Sequence, residues 1–451
     1  MPTECIPTEL PFGSSGGRKL VGAFDGGAIT SNGGVVLLAA ADRRIGLSRR
    51  LAACFRDLRD GARITHTIAG LLRQRIFGLA LGHEDLIDHD ALRLDPALAA
   101  VLDRPGDTLA GKSTLNRLEH ASKIGADRNH RIDHVAEAIE RLFVELFLDA
   151  HREAPLRITL DLDATDDPIY GEQEGKHFHG YYDCYCYLPL YVFCGRHLLA
   201  AKLRSSSVDA ADGATEEVAR IVAHIRECWP DTEIVVRADS GFCRDDLMTW
   251  CEENHVKYVL GLAGNARLLR RIAPHSCLAR RKSKRTGKAA RVFADFEYRT
   301  LKTWSTKRRV IGKAEWTRGE ANPRFIVTNL GQENGDARFL YEHIYCQRGE
   351  MENRIKECQT DLFADRTPTP TMRANQLRLW LSSFAYVLVS AVRRIGLAGT
   401  KLERATCGTI RLQLLKIGAL VTISVRRVKL AFASACPARD VFAMASRRLR
   451  I

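Results

Sequence analysis

Residues 155–165 read PLRITLDLDAT, a stretch in which apolar and polar residues alternate as they do in a β-strand. Asp161 and Asp163 are two residues apart and therefore point to one face, while Leu160 and Leu162 point to the other. Two carboxylates on a strand that buries its apolar face are costly unless they bind a cation or accept hydrogen bonds. The stretch therefore predicts both a central strand and a candidate site.

The segments that follow predict a mixed α/β sheet around this strand. Three strands that look antiparallel come first, and a helix, a strand, a helix and a strand follow, an order typical of a mixed sheet. The further strands are YYDCYCYLPLYVFCG, GRHLLAAKLRSSS, TEIVVRADSGF and VKYVLGLA, and the helices are ATEEVARIVAHIRECW and CRDDLMTWCEEN.

Two more acidic residues stand at prominent positions. TEIVVRADSGF is apolar up to Asp239, and an acid where a buried strand meets a loop is a common active-site position. In YCQRGEMENRIKE, which looks helical after its first residues, Arg348, Glu352 and Lys356 are spaced i, i+4, i+8 and share one face. Two strand aspartates and a helical glutamate suit a pair of Mg²⁺ ions, which prefer oxygen ligands and support phosphodiester chemistry.

Each feature also has an ordinary structural interpretation. Asp161 and Asp163 fit a hydrogen-bonded turn, Asp239 fits a helix N-cap, and the series from Arg348 to Lys356 fits an exposed ion-pair ladder. The 451 residues include 68 Lys and Arg against 54 Asp and Glu, a net charge of +14 that favours a nucleic-acid partner. Three acids in this order within a basic chain favour the metal site.

Five stretches together resemble the DDE transposases of bacterial insertion sequences, most of all the insertion-sequence family numbered 1380. They are LDLDATDDPIYGEQEG, YYDCYCYLPLYVF, VVRADSGF, YCQRGEMENRIKE and TMRANQLRLWLSSFAYVL. The resemblance implies a ribonuclease-H-like mixed-sheet core with a β-rich insertion. It also implies binding of terminal inverted repeats, then two-metal DNA cleavage and strand transfer with Mg²⁺, or Mn²⁺ as a substitute.

Carried over by position, the resemblance implies that Asp163, Asp239 and Glu352 bind the metals and catalyse the reaction. Asp163 is preferred because the family's first aspartate is followed by a small residue and then Ser or Thr, as it is here. Asp161 remains an alternative metal ligand.

A Tyr-x₂-Arg-x₃-Glu-x₆-Lys signature of related transposases matches at Tyr345, Arg348 and Glu352, which implies phosphate contacts for Tyr345 and Arg348. The position of the signature lysine is occupied by Gln359. Lys356, one turn after Glu352, is the alternative residue that could supply the positive charge.

The predicted regions follow changes in the periodicity of apolar residues along the chain. Residues 1–45 read as extended, helical periodicity dominates from 46 to 150, and the tail from residue 409 alternates like strands. Arg73, Arg75 and Arg117 either face DNA or are solvated. The predicted regions are 1–150, mainly helical and DNA-binding; 151–262 and 341–400, the two parts of the core; 263–340, a basic β-rich insertion; and 401–451, a basic C-terminal segment.

The thirteen cysteines show no framework spacing, the chain opens on a polar stretch, and no apolar run approaches the length of a membrane helix. These features predict reduced thiols and a bacterial cytoplasmic protein, nucleoid-associated when bound to DNA. The joining of two element ends predicts a homodimer in a synaptic complex.

Two rival motifs fit poorly. HFHGYYDCYC offers His177, His179, Cys184 and Cys186, but its one-residue spacings differ from those of zinc sites, and aromatic packing or a substrate contact is favoured. GDTLAGKS at 106–113 matches the P-loop pattern, yet no buried strand precedes it, and a helix N-cap at Ser113 or Thr114 is favoured. A non-catalytic DNA-binding regulator derived from a transposase and a P-loop NTPase are the alternatives to the predicted transposase.

Overall fold

The structure is a computed structural model that describes residues 9–120, 131–317 and 319–450. These residues form two compact units. The helical unit comprises the described parts of residues 1–46, 65–116 and 391–451, and the sheet unit comprises those of residues 47–64 and 117–390. The end of the predicted helix TLNRLEHASK (114–123) lies outside the described residues.

The strands are named β1 to β19 in chain order. They are β1 Leu10–Ser15, β2 Arg18–Gly22, β3 Ile29–Thr30, β4 Phe55–Asp57, β5 Ile132–His134, β6 Arg157–Ala164, β7 Asp167–Pro168, β8 His177–His179, β9 Cys184–Tyr187, β10 Leu190–Cys194, β11 His197–Lys202, β12 Glu233–Ala238, β13 Lys257–Leu262, β14 Ala290–Tyr298, β15 Arg308–Thr317, β16 Glu320–Ala321, β17 Arg324–Thr328, β18 Ala419–Ser424 and β19 Arg427–Phe432.

The α-helices are named α1 to α15 in the same way. They are α1 Val35–Ile45, α2 Leu47–Ala53, α3 Ile68–Ala80, α4 His89–Leu92, α5 Pro96–Val101, α6 Lys112–Glu119, α7 Ala136–Leu148, α8 Ala214–Cys228, α9 Asp245–Glu253, α10 Ala266–Thr286, α11 Ala337–Phe339, α12 Gly349–Lys356, α13 Met372–Ala391, α14 Cys407–Ile410 and α15 Arg439–Leu449. Short 3₁₀ or π turns extend several of them, notably Leu340–Ile344, Tyr345–Arg348 and Glu357–Asp361 around α12.

A mixed sheet forms the centre of the sheet unit, and the predicted mixed α/β architecture is confirmed. Its strand order is β11-β10-β6-β12-β13-β17-β15-β14, with β16 paired to β15. β6, β12 and β13 run parallel, whereas the remaining pairs are antiparallel. The predicted strands GRHLLAAKLRSSS, TEIVVRADSGF and VKYVLGLA form β11, β12 and β13, and the two predicted helices form α8 and α9. YYDCYCYLPLYVFCG, predicted as one strand, forms β9 of a separate three-stranded sheet and β10 of the central sheet.

The two faces of this sheet have different coverings. Leu160 and Leu162 of β6 belong to a large core cluster that also contains side chains of α7, α8, α9 and α10. On the other face, Val235 and Val259 belong to a second cluster with Leu340 and Tyr341 of the segment that precedes α12. Because side chains alternate along a strand, Asp161 and Asp163 point to this second face. Helix α12, which contains Glu352, lies on the same face.

Residues 263–340, predicted as a basic β-rich insertion, contain a long helix and several strands of the central sheet. Its basic start, within residues 263–290, forms the 21-residue helix α10. Its strands extend the central sheet, because β17 pairs with β13 on one side and with β15 on the other. The boundary predicted at residue 150 also differs from the compact units, since the described residues of 47–64 and 117–150 belong to the sheet unit.

Two segments differ from the predicted secondary structure. Residues 35–45, VVLLAAADRRI, were expected to be extended but form α1, whose Leu37, Leu38 and Ala41 are buried. In the described part of the tail, residues 407–415 are helical, and β18 and β19 are the strands. In both segments the apolar residues recur at helical spacing within a buried environment, which a short apolar run does not reveal by itself.

Within the described chain, no helix is both long and apolar enough to cross a membrane. The cysteines that the structure describes are all free thiols.

Candidate active site

Asp163 and Asp239 lie next to each other at the carboxyl ends of two parallel strands. The last hydrogen-bonded pair between β6 and β12 is Leu162 with Ala238, and the two aspartates are the next residues in the same direction. Neighbouring strands are separated by about 4.8 Å. One oxygen of Asp239 accepts a hydrogen bond from the Gly241 N–H at 2.8 Å, so this aspartate also caps the turn that follows. The ordinary interpretation of Asp239 as a cap is therefore confirmed, and the bond uses only one of its oxygens.

Glu352 reaches this edge of the sheet from α12. Arg348, one turn earlier, donates from Nη1 to Oδ2 of Asp163 at 3.2 Å and from Nη2 to Oε1 of Glu352 at 2.6 Å. The Arg348 side chain is 19% exposed and that of Asp163 is 15% exposed, whereas that of Glu352 is 56% exposed. Arg348 therefore joins the first and third acids, and its contact with Asp163 spans 185 residues of sequence.

Tyr345 completes this group. A Cβ atom on Gly261 of β13 would lie 2.6 Å from the Tyr345 hydroxyl and 2.7 Å from the Ser240 amide nitrogen, so the close approach requires glycine there. Burial raises the pKa of Tyr345, nearby Asp239 adds to the rise, and Arg348 opposes it. The described structure thus brings together five of the predicted site residues: Asp163, Asp239, Tyr345, Arg348 and Glu352.

The electrostatics of the group centre on Asp163. Burial raises the pKa of its carboxyl to about 6, and the negative charges of Asp239 and Glu352 contribute to the rise. The guanidinium of Arg348 and the Ala164 N–H, which donates to Oδ1 at 3.0 Å, lower the pKa. The pKa of Asp163 is thus raised by burial and by two neighbouring negative charges, which Arg348 offsets only in part, a pattern common at catalytic sites.

Asp161 has a different environment from Asp163, although both point to the same face. Its two oxygens accept hydrogen bonds from Nε and Nη2 of Arg237 at 2.6 and 2.9 Å, and both side chains are buried. Arg237 also donates from Nη1 to the carbonyl oxygen of Ile344, which leads into the turn of Tyr345 and Arg348. This buried bidentate pair favours a structural role for Asp161 over metal binding.

The two candidates for the signature lysine occupy different surroundings. Lys356 is exposed one turn beyond Glu352. Gln359 points inward, and its amide donates to the carbonyl of Asp166 at 3.0 Å and to Oδ1 of the fully buried Asp167 at 3.1 Å. Gln359 therefore stabilises the loop after β6 by hydrogen bonds. Of the two residues, Lys356 is the one that a phosphate can reach.

The donor set suits a hard divalent cation, since the three acids offer only oxygen atoms. Asp163, Asp239 and Glu352 would hold it. In the present arrangement, no three His, Cys, Asp or Glu side chains within the described ranges lie close enough together to hold a metal ion. Arg348 accounts for part of this spacing, because its guanidinium lies between Asp163 and Glu352.

Two residues near the site were missed by sequence reasoning. Arg237 stands two residues before Asp239, and this spacing on a strand was a signal that it shares a face with the aspartate. Tyr182 follows β8, and its burial near the negative charges of Asp166 and Asp163 raises the pKa of its hydroxyl to about 12. The sequence carried no specific signal for Tyr182, because its proximity to Asp163 depends on how the β8–β9 hairpin is placed.

The HFHGYYDCYC stretch forms that hairpin. Its register sets His177 opposite Cys186 and His179 opposite Cys184, so the four side chains share one face. Phe178 and Tyr185 occupy the other face, with ring centroids 5.4 Å apart. The four side chains are not clustered closely enough to form a metal site in the described chain, and the packing of these two aromatic rings agrees with the favoured interpretation.

The P-loop-like stretch, residues 106–113, connects two helices, α5 and α6. The helix α5, and not a strand, precedes it, and α6 begins at Lys112, one residue before the predicted caps. The Lys112 N–H donates to Oδ1 of Asp90 at 3.0 Å, and its Nζ lies 3.4 Å from Oδ2. A carboxylate therefore occupies the helix end that would face a phosphate in a P-loop.

Of the three arginines considered for DNA contact in the N-terminal region, one is buried. Arg75 is 2% exposed and donates to the carbonyls of His83 and Glu84, so the predicted surface role is wrong for this residue. Arg73 forms ion pairs with two aspartates, and Arg117 is exposed.

Comparison with known proteins connects this site to one family. The family model described as "Transposase DDE domain group 1" matches residues 12–451, nearly the whole chain. No curated protein matches the chain.

Proposed function

The chain belongs to the DDE transposase family, and on that premise we propose that it cleaves DNA at the terminal inverted repeats of an insertion sequence and joins the new 3′ ends to target DNA. The observation that best supports this proposal is the grouping of Asp163, Asp239 and Glu352 around Arg348. We propose membership of the insertion-sequence family numbered 1380 on the five stretches that resemble it.

The fold of the core supports a ribonuclease-H-like assignment. β11, β10 and β6 form an antiparallel meander, and β12 and β13 continue the sheet in parallel with β6. This arrangement brings the first two acids to one edge, where a third acid on a helix can complete the set.

The proposed chemistry assigns a task to each residue. Asp163, Asp239 and Glu352 would hold two Mg²⁺ or Mn²⁺ ions, which when bound supply an activated attacking oxygen and a stabilised leaving oxygen. Arg348 and the Tyr345 hydroxyl would contact the phosphate beside the reacting bond. Lys356, exposed on the same helix, is positioned to meet a more distant phosphate.

Helix α10 supplies a concentrated positive surface for DNA. It carries eight Lys and Arg residues and no Asp or Glu, and all eight are exposed. Leu268, Ile272 and Ala279 form its buried stripe. Among the residues that the structure describes, none of these eight cations forms an ion pair with a carboxylate. A helix of 21 residues is about 31 Å long, close to one turn of duplex DNA.

A single substitution tests the proposal. We expect Asp239→Asn to bind element-end DNA with nearly wild-type affinity and to cut it at least about 100-fold more slowly, because it loses a charged ligand at the reacting centre. Cleavage and joining are followed on labelled duplexes with Mg²⁺. Glu350→Gln, in the same helix but 77% exposed, is the matched control and should retain both steps.

Two outcomes would point elsewhere. A wild-type protein that binds the ends without metal-dependent cutting would be a non-catalytic regulator. Nucleotide hydrolysis that Lys112→Ala abolishes would indicate a P-loop NTPase.

We further propose that the active form is a homodimer, since the reaction joins two ends.

A further inference from the structure

The guanidinium of Arg348 occupies the position of a counter-ion within the acid cluster. It donates to Asp163 and to Glu352 at the same time, and its charge also interacts with Asp239 and Tyr345. Burial alone would lower the pKa of Arg348, yet these neighbours raise it above its ordinary value. Arg348 is therefore held by the same oxygen atoms that would bind a divalent cation.

We infer that Arg348 exchanges these carboxylates for a DNA phosphate when a divalent cation binds, and that this exchange couples cation binding to DNA binding. The inference rests on the proposed function. A guanidinium and a divalent cation compete for Oδ2 of Asp163 and Oε1 of Glu352, so each cation bound displaces Arg348. The displaced guanidinium keeps its charge and its donors, and a phosphate oxygen is the acceptor that the substrate brings.

The two contacts of Arg348 differ in strength. Asp163 is largely buried, so its pair with Arg348 is weakly screened, whereas Glu352 is mostly exposed and its pair is well screened. Glu352 can therefore leave Arg348 more easily than Asp163 can. We therefore expect the contact with Asp163 to be the harder of the two for a cation to replace.

Coupling of this kind is reciprocal, so it can be measured from either ligand without following catalysis. We expect the affinity of the wild-type protein for an uncut end duplex to increase at least about 5-fold on addition of Ca²⁺, which binds through oxygen atoms. Fluorescence anisotropy measures the DNA affinity, isothermal titration calorimetry measures the Ca²⁺ affinity with and without DNA, and gels confirm that the duplex stays intact.

Three variants separate exchange from simple charge. Arg348→Ala should bind Ca²⁺ several-fold more tightly than wild type in the absence of DNA, because the competitor is gone, and its coupling should fall below about 2-fold. Arg348→Lys keeps the charge but loses the forked donors, and should show intermediate coupling while remaining folded. Lys356→Ala removes a nearby charge that holds none of these oxygens, so it should lower the DNA affinity equally with and without Ca²⁺ and retain the wild-type coupling.

The outcomes distinguish the inference from the proposed function. If Arg348→Ala and Arg348→Lys couple Ca²⁺ and DNA as strongly as wild type, or if Lys356→Ala loses coupling equally, the exchange is wrong although the enzyme assignment can stand. If the wild-type protein binds neither Ca²⁺ nor end DNA, the proposed function itself fails.

Discussion

At the scale of single residues, Asp161 and Asp163 show how two similar side chains take different roles. They lie on the same face of the strand, but their partners differ. Asp161 forms a buried bidentate pair with Arg237, whereas Asp163 accepts a hydrogen bond from Arg348 and lies near the negative charges of Asp239 and Glu352. Strand alternation predicted the shared face correctly. It could not separate the two roles, because Arg237 lies 76 residues away and becomes a partner only when β12 pairs with β6.

The raised pKa of Asp163 leads to a stability prediction for the metal-free protein. The pKa is about 6 in the folded chain and about 3.9 in an unfolded one. Between these values the folded state binds more protons, so the contribution of Asp163 to stability falls as pH rises from about 4 to 6 and is lost above that range. We expect Asp163→Asn to be more stable than wild type by about 1–3 kcal/mol at pH 8 and similar to it at pH 4.

Chemical denaturation in a metal chelator at both pH values measures this effect. Asp161→Asn is the control from the same strand, and we expect it to lose about 3–5 kcal/mol at pH 8 because it leaves the buried Arg237 without a charged partner. A loss of stability at pH 8 in Asp163→Asn comparable to that of Asp161→Asn would contradict the difference between the two residues.

At the scale of elements, regular alternation made the core strands predictable. β6, β12 and β13 are rich in Val, Ile and Leu, are bounded by turns, and lie where the sequence indicated. Residues 35–45 and 407–415 were not predicted as helices, because their apolar residues fit either a buried strand or a buried helix. Their helical state depends on packing within the helical unit, which the local pattern does not contain.

Helix α10 carries the element-scale prediction about DNA. Arg270, Arg281 and Arg285 lie opposite its buried stripe, so each can contact a backbone phosphate. We expect the triple Arg→Gln variant at these positions to bind duplex DNA more weakly. The slope of log affinity against log salt concentration should decrease by about 1 for each side chain, as lost phosphate contacts require.

A matched triple variant provides the comparison. Arg141, Arg244 and Arg338 are also partly or largely exposed, but each forms an ion pair with a carboxylate. Their replacement by Gln removes the same formal charge from positions that are already neutralised, and should leave the slope nearly unchanged. Equal changes in both triple variants would show that net charge, and not α10, determines DNA binding.

At the scale of the whole molecule, the candidate site depends on strand order more than on any local motif. Asp163 and Asp239 become neighbours only because β12 inserts beside β6, and Glu352 joins them only because its segment covers the face opposite α10. The choice of Asp163, Asp239 and Glu352 as candidate site residues came from a family resemblance and remains a prediction. The sequence did not predict that β17 pairs with both β13 and β15, which makes the expected insertion a continuation of the sheet.

The location of divalent cations in the DNA-bound protein would show whether Asp163, Asp239 and Glu352 form the metal site. An anomalous-scattering map of crystals containing Mn²⁺ and element-end DNA should show ions in contact with Asp163, Asp239 and Glu352, with Arg348 turned to a phosphate. Ions bound at other residues, or an Arg348 that still joins Asp163 to Glu352 beside bound DNA, would contradict the account.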